Sequence, residues 1–208
     1  MIPNGITLAK YSKGNHINID KSFLKIDKSK EVVTYVSRLD VGKEHLCLLH
    51  SWVRVVETHP SAILCLLGDG ILKKELQEFV NINQINENVL FLGTTNKVAE
   101  ILSITDVAVF PSQFEGFPLS LLEKMSMSLP VVVSDIAVFK ELINPNENGL
   151  MFKMNNSEEL SSTICKLLDN EELRFFLGQN AKKTAEKYDI VDVVNETISY
   201  YEEEYYNN

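Results

Sequence analysis

Two carboxylates bracket a short turn in "EGFPLSLLE", Glu115 to Glu123. Gly116, Phe117 and Pro118 make the turn, and the residues from Leu119 onward have the spacing of a helix. A helix start leaves backbone N–H groups unpaired and carries partial positive charge, so it ordinarily receives anions. Acids on both sides of one therefore need a reason. Two cations stand in a related position: in "SRLDVGKEH", Arg38 ends an apolar run and Lys43 opens the next amphipathic segment. A guanidinium and an ammonium at that spacing can grip a diphosphate, and they can equally be two solvated charges.

Pro118 suits the first helical position, which makes Phe117 the expected cap and leaves the Leu119 and Ser120 N–H groups free for phosphate oxygens. Glu115 then lies on the loop outside the helix. Glu123 lies roughly 7.5 Å down the axis, near Leu119 and Ser120 and off the core stripe of Leu121, Leu122, Met125 and Leu129. Neither acid can touch a phosphate without repulsion. Each can accept hydrogen bonds from hydroxyls beside one, and a sugar nucleotide carries hydroxyls on both sides of its diphosphate. The pattern fits two sugars held by the acids, with the phosphates at the helix start between them.

The elements that must position these residues alternate from Glu31 onward. β-Branched runs at Val32–Ser37, Ala62–Gly68, Asn88–Gly93, Asp106–Pro111, Pro130–Ser134 and Gly149–Phe152 read as strands. Helical patterns fall between them at Lys43–Glu57, Leu72–Asn83, Lys97–Ser103, Pro118–Ser128 and Val138–Ile143. Only helices follow Asn156, with Ser157 the expected N-cap of the first. This is an α/β chain with a doubly wound parallel sheet and C-terminal helices. Arg38, Gly68-Asp69-Gly70, Gly93, Glu115 and Ser134-Asp135 each follow a strand, at the edge where such sheets form their ligand crevice. "LGDG" is an incomplete dinucleotide fingerprint, better suited to a tight strand-to-helix turn than to a phosphate clamp.

The 208 residues carry a net charge of −9, which excludes a general nucleic-acid or anionic-membrane surface and requires any phosphate site to be local. No apolar run is long enough to span a membrane, and "MIPNGITLAK" lacks the regions of a signal peptide, so a cytoplasmic protein is expected. Cys47, Cys65 and Cys165 lie in apolar patterns without CxxC spacing and read as buried, reduced thiols. His45 and His50, five apart on one helix, point to different faces and read as surface or cap residues rather than metal ligands. Residues 1–30 are polar and aperiodic, a linker or lead-in; residues 31–208 form one domain.

With these motifs in place, the chain resembles the C-terminal, donor-binding half of the group 1 (family 4) retaining glycosyltransferases of GT-B fold. "RLDVGK", "LCLLGDG", "NVLFLG", the Glu-x7-Glu element "PSQFEGFPLSLLEKM" and "LPVVVSD" carry the likeness, from Val32 to Phe152. The resemblance implies a Rossmann-like half of that fold and a nucleotide-sugar donor, a UDP-sugar by expectation. It also implies transfer to a saccharide or glycolipid acceptor, with no cofactor and no metal. Asp-x-Asp is absent from the sequence. By matching position, Arg38 and Lys43 look like the diphosphate clamp and Glu115 like a contact to the transferred sugar, the three residues closest to catalysis. Glu123 looks like the acceptor for ribose hydroxyls. Gly116, Phe117, Pro118, Leu119 and Ser120 look like the wall for phosphate and sugar, and Gly93 and Thr94 like the base contact.

The sequence departs from the family at "EKMSMSLP", where Lys124 and Ser128 replace small residues, and at Ala137-Val138, where a glycine pair is usual. "IPNGI" (Ile2 to Ile6) resembles the segment leaving the N-terminal acceptor domain, so the expected partner is that domain, covalent or as a subunit. Peripheral membrane association would run through it. The competing readings are a non-catalytic sugar-nucleotide-binding module and a GT-B-like sugar-nucleotide epimerase. The intact "RLDVGK" and Glu-x7-Glu spacing argue against the latter.

Overall fold

The computed structural model of the chain describes residues 4–11 and 19–206. Six strands form one all-parallel sheet: β1 (Val32–Val36), β2 (Ile63–Leu67), β3 (Val89–Gly93), β4 (Val107–Phe110), β5 (Val131–Ser134) and β6 (Leu150–Phe152). Eight helices are described around it: α1 (His45–Thr58), α2 (Lys73–Ile82), α3 (Val98–Ser103), α4 (Leu119–Ser126), α5 (Ala137–Leu142), α6 (Ser157–Leu168), α7 (Glu171–Ala185) and α8 (Ile190–Tyr206). All six expected strands form, each trimmed by a residue at one or both ends. β2, β4 and β5 are buried along their whole length, which is why they read as unbroken apolar runs rather than alternating ones.

The strand order is β3-β2-β1-β4-β5-β6. The chain winds outward from β1 through β3, returns to the other side of β1 at β4, and winds outward again. The loops leaving β1 and β4 therefore turn away from each other and open a crevice between their carboxyl ends. The fold is the doubly wound α/β arrangement that the sequence implies.

Several local expectations need correction. Pro118 is itself the cap of α4, at φ −85° and ψ 69°, and the helix begins at Leu119. That backbone lets the Leu119 N–H bond to the Phe117 carbonyl at 3.0 Å, so of the two amides expected to be free only Ser120 keeps an unpaired N–H among the described residues. Asn156, not Ser157, caps α6, because Ser157 is already helical while the Asn156 side chain accepts from the Glu159 N–H at 3.0 Å. Lys43 precedes α1 rather than opening it: Glu44 adopts a left-handed φ of 56°, which a continuing helix does not allow.

His45 is no surface residue. It is 2% exposed, its ring 4.9 Å from that of Tyr35, while His50 stays exposed against Phe79. The three thiols are free, but only Cys65 is buried; Cys47 and Cys165 are half-buried because they sit at the edges of their helices' apolar faces.

The lead-in is fastened to the domain where it is described. Ile6 exchanges backbone hydrogen bonds with Tyr188 and Ile190, Tyr11 is buried, and Ile26 packs with Val32, Ile63 and Cys65. Ile2 and Pro3 of "IPNGI" and residues 12–18 of the lead-in lie outside the described residues.

Candidate donor-binding site

The crevice between β1 and β4 contains a cleft of about 220 Å³ lined by Arg38 and Lys43 from the loop after β1, Glu115 and Pro118 from the loop after β4 and Ser120 from the first turn of α4, with Tyr35 and Phe110 also lining it. The two loops are joined. Gln113 N–H bonds to the Gly42 carbonyl at 2.9 Å, and the Phe114 ring lies where a side chain on Gly42 would have to go. Gly42 has φ +82°, a backbone conformation that favours glycine, whereas the exposed Phe114 ring could shift aside.

Beneath the loops, the buried Tyr35 Oη lies 3.0 Å from the Lys43 carbonyl and 2.9 Å from Ser112 Oγ. Ser112 Oγ donates to Glu115 Oε1 at 2.7 Å, and Lys43 Nζ meets the same oxygen at 2.7 Å. One strand residue thus ties both loops down, and the acid and the cation expected at the site are held as a pair. Burial pushes the Tyr35 hydroxyl well above its ordinary pKa, so it remains a neutral hydrogen-bond group. Arg38 projects outward, 79% exposed, and pairs with Asp40 at 3.0 Å.

Glu123 stands outside the cleft lining, farther along α4, with its side chain 25% exposed. Its Oε1 accepts from Tyr11 Oη at 2.7 Å. Next to it, Lys124 is 1% exposed, its ammonium 3.7 Å from Glu123 Oε2, hydrogen-bonded to Ser120 Oγ and 5.7 Å from the centre of the Phe110 ring. Burial pushes its pKa down to about 8, with Glu123 acting in the opposite direction.

Gly116 is exposed on the turn, Phe117 is half-buried 6.0 Å from Tyr188, and Leu119 is 39% exposed at the helix start. Gly93 is the last residue of β3 and the exposed Thr94 follows it, at the sheet edge two strands from β1. "LGDG" has the geometry of a tight turn. A Cβ on Gly68 would come 2.0 Å from the Ser37 carbonyl oxygen and one on Gly70 2.4 Å from that of Leu39, while Asp69 pairs with Lys73. These glycines press the loop after β2 against the loop after β1 instead of opening an anion cradle.

The sequence did not single out Tyr35, Ser112 or Tyr11, and it singled out Lys124 only as a departure from small residues. Tyr35 and Ser112 are ordinary residues of a strand and a turn, and Tyr11 meets Glu123 across 112 positions.

Beside this geometry stands a family match: the profile for glycosyl transferases group 1 covers residues 17–184. The chain belongs to the group 1 glycosyl transferases. Among this family, it is 27% identical over 205 residues to the Escherichia coli UDP-Gal:alpha-D-GlcNAc-diphosphoundecaprenol alpha-1,3-galactosyltransferase, an alignment covering 97% of this chain and 53% of that one. It is 29% identical over 181 residues to a Campylobacter jejuni diphospho-undecaprenol 4-alpha-N-acetylgalactosaminyltransferase, covering 86% of this chain and 49% of that one. This group 1 chain thus spans about half the length of the curated relatives it matches.

In fold, it superposes on Anabaena HepE, solved with UDP and glucose, at a TM-score of 0.85 and 23% identity over 95% of this chain and 56% of HepE. It also superposes on the C-terminal domain of the Francisella tularensis group 1 protein LpcC at 0.78 and 20% identity, over 89% of this chain and all (100%) of that domain. The fold is that of the C-terminal domain of a GT-B enzyme.

Proposed function

We propose that this chain is the nucleotide-sugar-binding domain of a retaining glycosyltransferase, and that the cleft between β1 and β4 receives the diphosphate of the donor. One observation carries the reading: Arg38, Lys43, Glu115 and Ser120, from two segments far apart in sequence, line a single cleft at the switch point of the sheet. Arg38 and Lys43 supply positive charge for the phosphates, aided by the Ser120 N–H. Glu115 and Glu123 accept hydroxyls of the transferred sugar and the ribose, and the turn from Gly116 to Leu119 walls the space between. Gly93 and Thr94 border the base.

The names of the E. coli relative and of the HepE structure carry UDP, and we take UDP as the nucleotide here too. The acceptor is a saccharide or a lipid-linked sugar, as in the relatives' names. Lys43 takes part by exchanging some of its bond to Glu115 for a phosphate oxygen, which frees a carboxylate lone pair for a sugar hydroxyl in the same movement. Charge on the departing diphosphate is met by these two cations, so binding needs no divalent metal. Three free cysteines fit the reducing cytoplasm. No helix among the described residues is long and apolar enough to cross a membrane.

Calorimetry with UDP and a UDP-sugar, with and without a chelator, tests the reading. Binding is expected to survive chelation. Glu123→Ala is expected to weaken both ligands by roughly 1.5–3 kcal/mol, as for a lost hydrogen bond to a charged group, and Glu115→Ala to weaken only the sugar nucleotide. Strict dependence on magnesium or manganese, or equal losses from Glu115→Ala, would overturn the assignment.

A further inference from the structure

The second acid of the Glu-x7-Glu element is held from two sides by groups that the donor-binding reading does not use. Tyr11, which is 5% exposed, reaches in from the lead-in and donates its hydroxyl proton to Glu123 Oε1 at 2.7 Å. Lys124 comes up from inside α4 and sets its ammonium 3.7 Å from Oε2, with Ser120 Oγ as a second partner and the Phe110 ring beneath. Each carboxylate oxygen thus has one fixed partner of its own.

We propose that Tyr11 and Lys124 are positioning residues for ribose recognition: together they fix the plane of the Glu123 carboxylate so that its remaining lone pairs meet the two neighbouring hydroxyls of the donor's ribose. The inference rests on the reading that Glu123 accepts those hydroxyls.

The chemistry is one of counting and of preorganisation. An ionised carboxylate offers about four lone-pair sites. The Tyr11 hydroxyl takes one site on Oε1, while the Lys124 ammonium, 3.7 Å from Oε2, orients that oxygen by charge rather than by a hydrogen bond, so each oxygen keeps at least one open site, and a vicinal diol presents two O–H groups at matching separation. A glutamate on an exposed helix face would turn freely about its side-chain torsions and lose that freedom on binding. Here the freedom is already gone. Both supports are also poor choices unless they act on something. A buried lysine ammonium is costly, and a phenylalanine would fill the space of Tyr11 without the burden of a buried hydroxyl. Both polar atoms converge on the same carboxylate.

Ribose selectivity is the readout, because a purely structural role would alter the affinity for any nucleotide alike. Calorimetry on the full chain with UDP and with 2′-deoxy-UDP gives the preference of each variant. The unaltered chain is expected to bind UDP at least about tenfold more tightly, a factor equivalent to about 1.4 kcal/mol. Tyr11→Phe, which keeps the ring, and Lys124→Met, which keeps the stem, are each expected to reduce that preference to within about threefold. Their affinity for 2′-deoxy-UDP should stay within about twofold of the unaltered chain. Glu123→Gln separates the two levels of the reading. If it abolishes the preference while Tyr11→Phe and Lys124→Met retain it, Glu123 meets the ribose but the positioning inference is overturned. If Glu123→Gln retains the preference, or the unaltered chain shows none, the ribose assignment itself falls. Equal weakening of both nucleotides by the Tyr11 and Lys124 variants also overturns the inference, since it would mark them as parts of the packing only.

Discussion

An ammonium group with no access to water has to be compensated, and at Lys124 the compensation is partial: one hydroxyl, one carboxylate oxygen at 3.7 Å and the face of an aromatic ring. Desolvation prevails, and the group's pKa falls to about 8 from the ordinary lysine value near 10.5. The sign of the effect on stability follows from where the proton sits. Between about pH 8 and pH 10.5 the unfolded chain holds this proton and the folded chain does not, so this group's contribution to stability rises with pH across that window. Below about pH 8 the folded chain carries the full cost of the buried charge. Lys124→Met is therefore expected to stabilise the protein at pH 7, by at most about 3 kcal/mol, the free energy that a shift from 10.5 to about 8 represents, because the Glu123 left behind is partly exposed and keeps its bond from Tyr11. The advantage should shrink as the pH approaches 10, where the unaltered chain has lost the charge. Urea unfolding of both proteins at pH 7 and pH 9.5 reads this directly; a Met variant that is less stable at pH 7 would mean that the Glu123 and Ser120 contacts outweigh desolvation. A gain in stability accompanied by lost ribose preference is the expected exchange at a residue kept for function.

At the scale of elements, the first turn of α1 and the loop that presents Lys43 rest on the His45 ring, which is buried against Tyr35 and whose Nδ1 has no hydrogen-bond partner among the described residues. Burial pushes the imidazole pKa down to about 4; Asp40 opposes the shift and Lys43 adds to it. Between pH 6.5 and about pH 4 the unfolded chain takes up a proton that the folded chain refuses, so stability is lost as the pH falls through that window, by roughly 3 kcal/mol at most. His45→Leu should remove this acid limb, measured as the difference in urea midpoint between pH 7 and pH 4.5, which should be smaller in the variant than in the parent. None of this was legible in the sequence. Hydrophobic periodicity locates α1 and its buried face, but it says nothing of a cap-proximal ring folded under a strand tyrosine, so a surface position was the natural expectation. The strands were legible because central parallel strands are apolar on both faces, and the site loops because they follow the strand ends. Cap positions were misread by one residue at Asn156, where Asn156 and Ser157 are both chemically able to cap, and at Pro118, where no side chain caps and only the backbone angles set the boundary. The partners of Glu123 escaped notice for a different reason. Tyr11 belongs to a segment without periodicity, and side-chain contacts across more than a hundred positions leave no local mark.

For the molecule as a whole, the size of the cleft is the informative quantity. Its volume of about 220 Å³ is below the ~300–1,000 Å³ typical of pockets that enclose a small ligand, and a sugar nucleotide is larger than many such ligands. On the proposed reading this domain meets the phosphates and ribose along one wall, and a cleft of that size does not surround the donor. A retaining transfer needs the acceptor hydroxyl held against the anomeric carbon, and it needs bulk water kept away while the sugar is between partners. Both requirements call for a second wall facing the loops after β1 and β4. α8 offers a place for that wall to be anchored, since Val191, Val194, Ile198 and Tyr201 are exposed at helical spacing, an apolar stripe of the kind that another domain covers. We therefore expect residues 1–208 by themselves to bind UDP-sugar and to show at most slow hydrolysis of it, with no transfer to saccharide or lipid-linked acceptors. Adding the N-terminal domain of a group 1 relative, in trans or by fusion ahead of residue 1, should restore transfer, and Lys43→Ala in the fusion should abolish most of it while leaving the acceptor side untouched. The assay is product formation over a panel of UDP-sugars and acceptors. Multiple turnovers by the chain with no added domain would show that the cleft closes by a movement of its own loops, and the second wall would then have to be sought in the turn from Gly116 to Leu119.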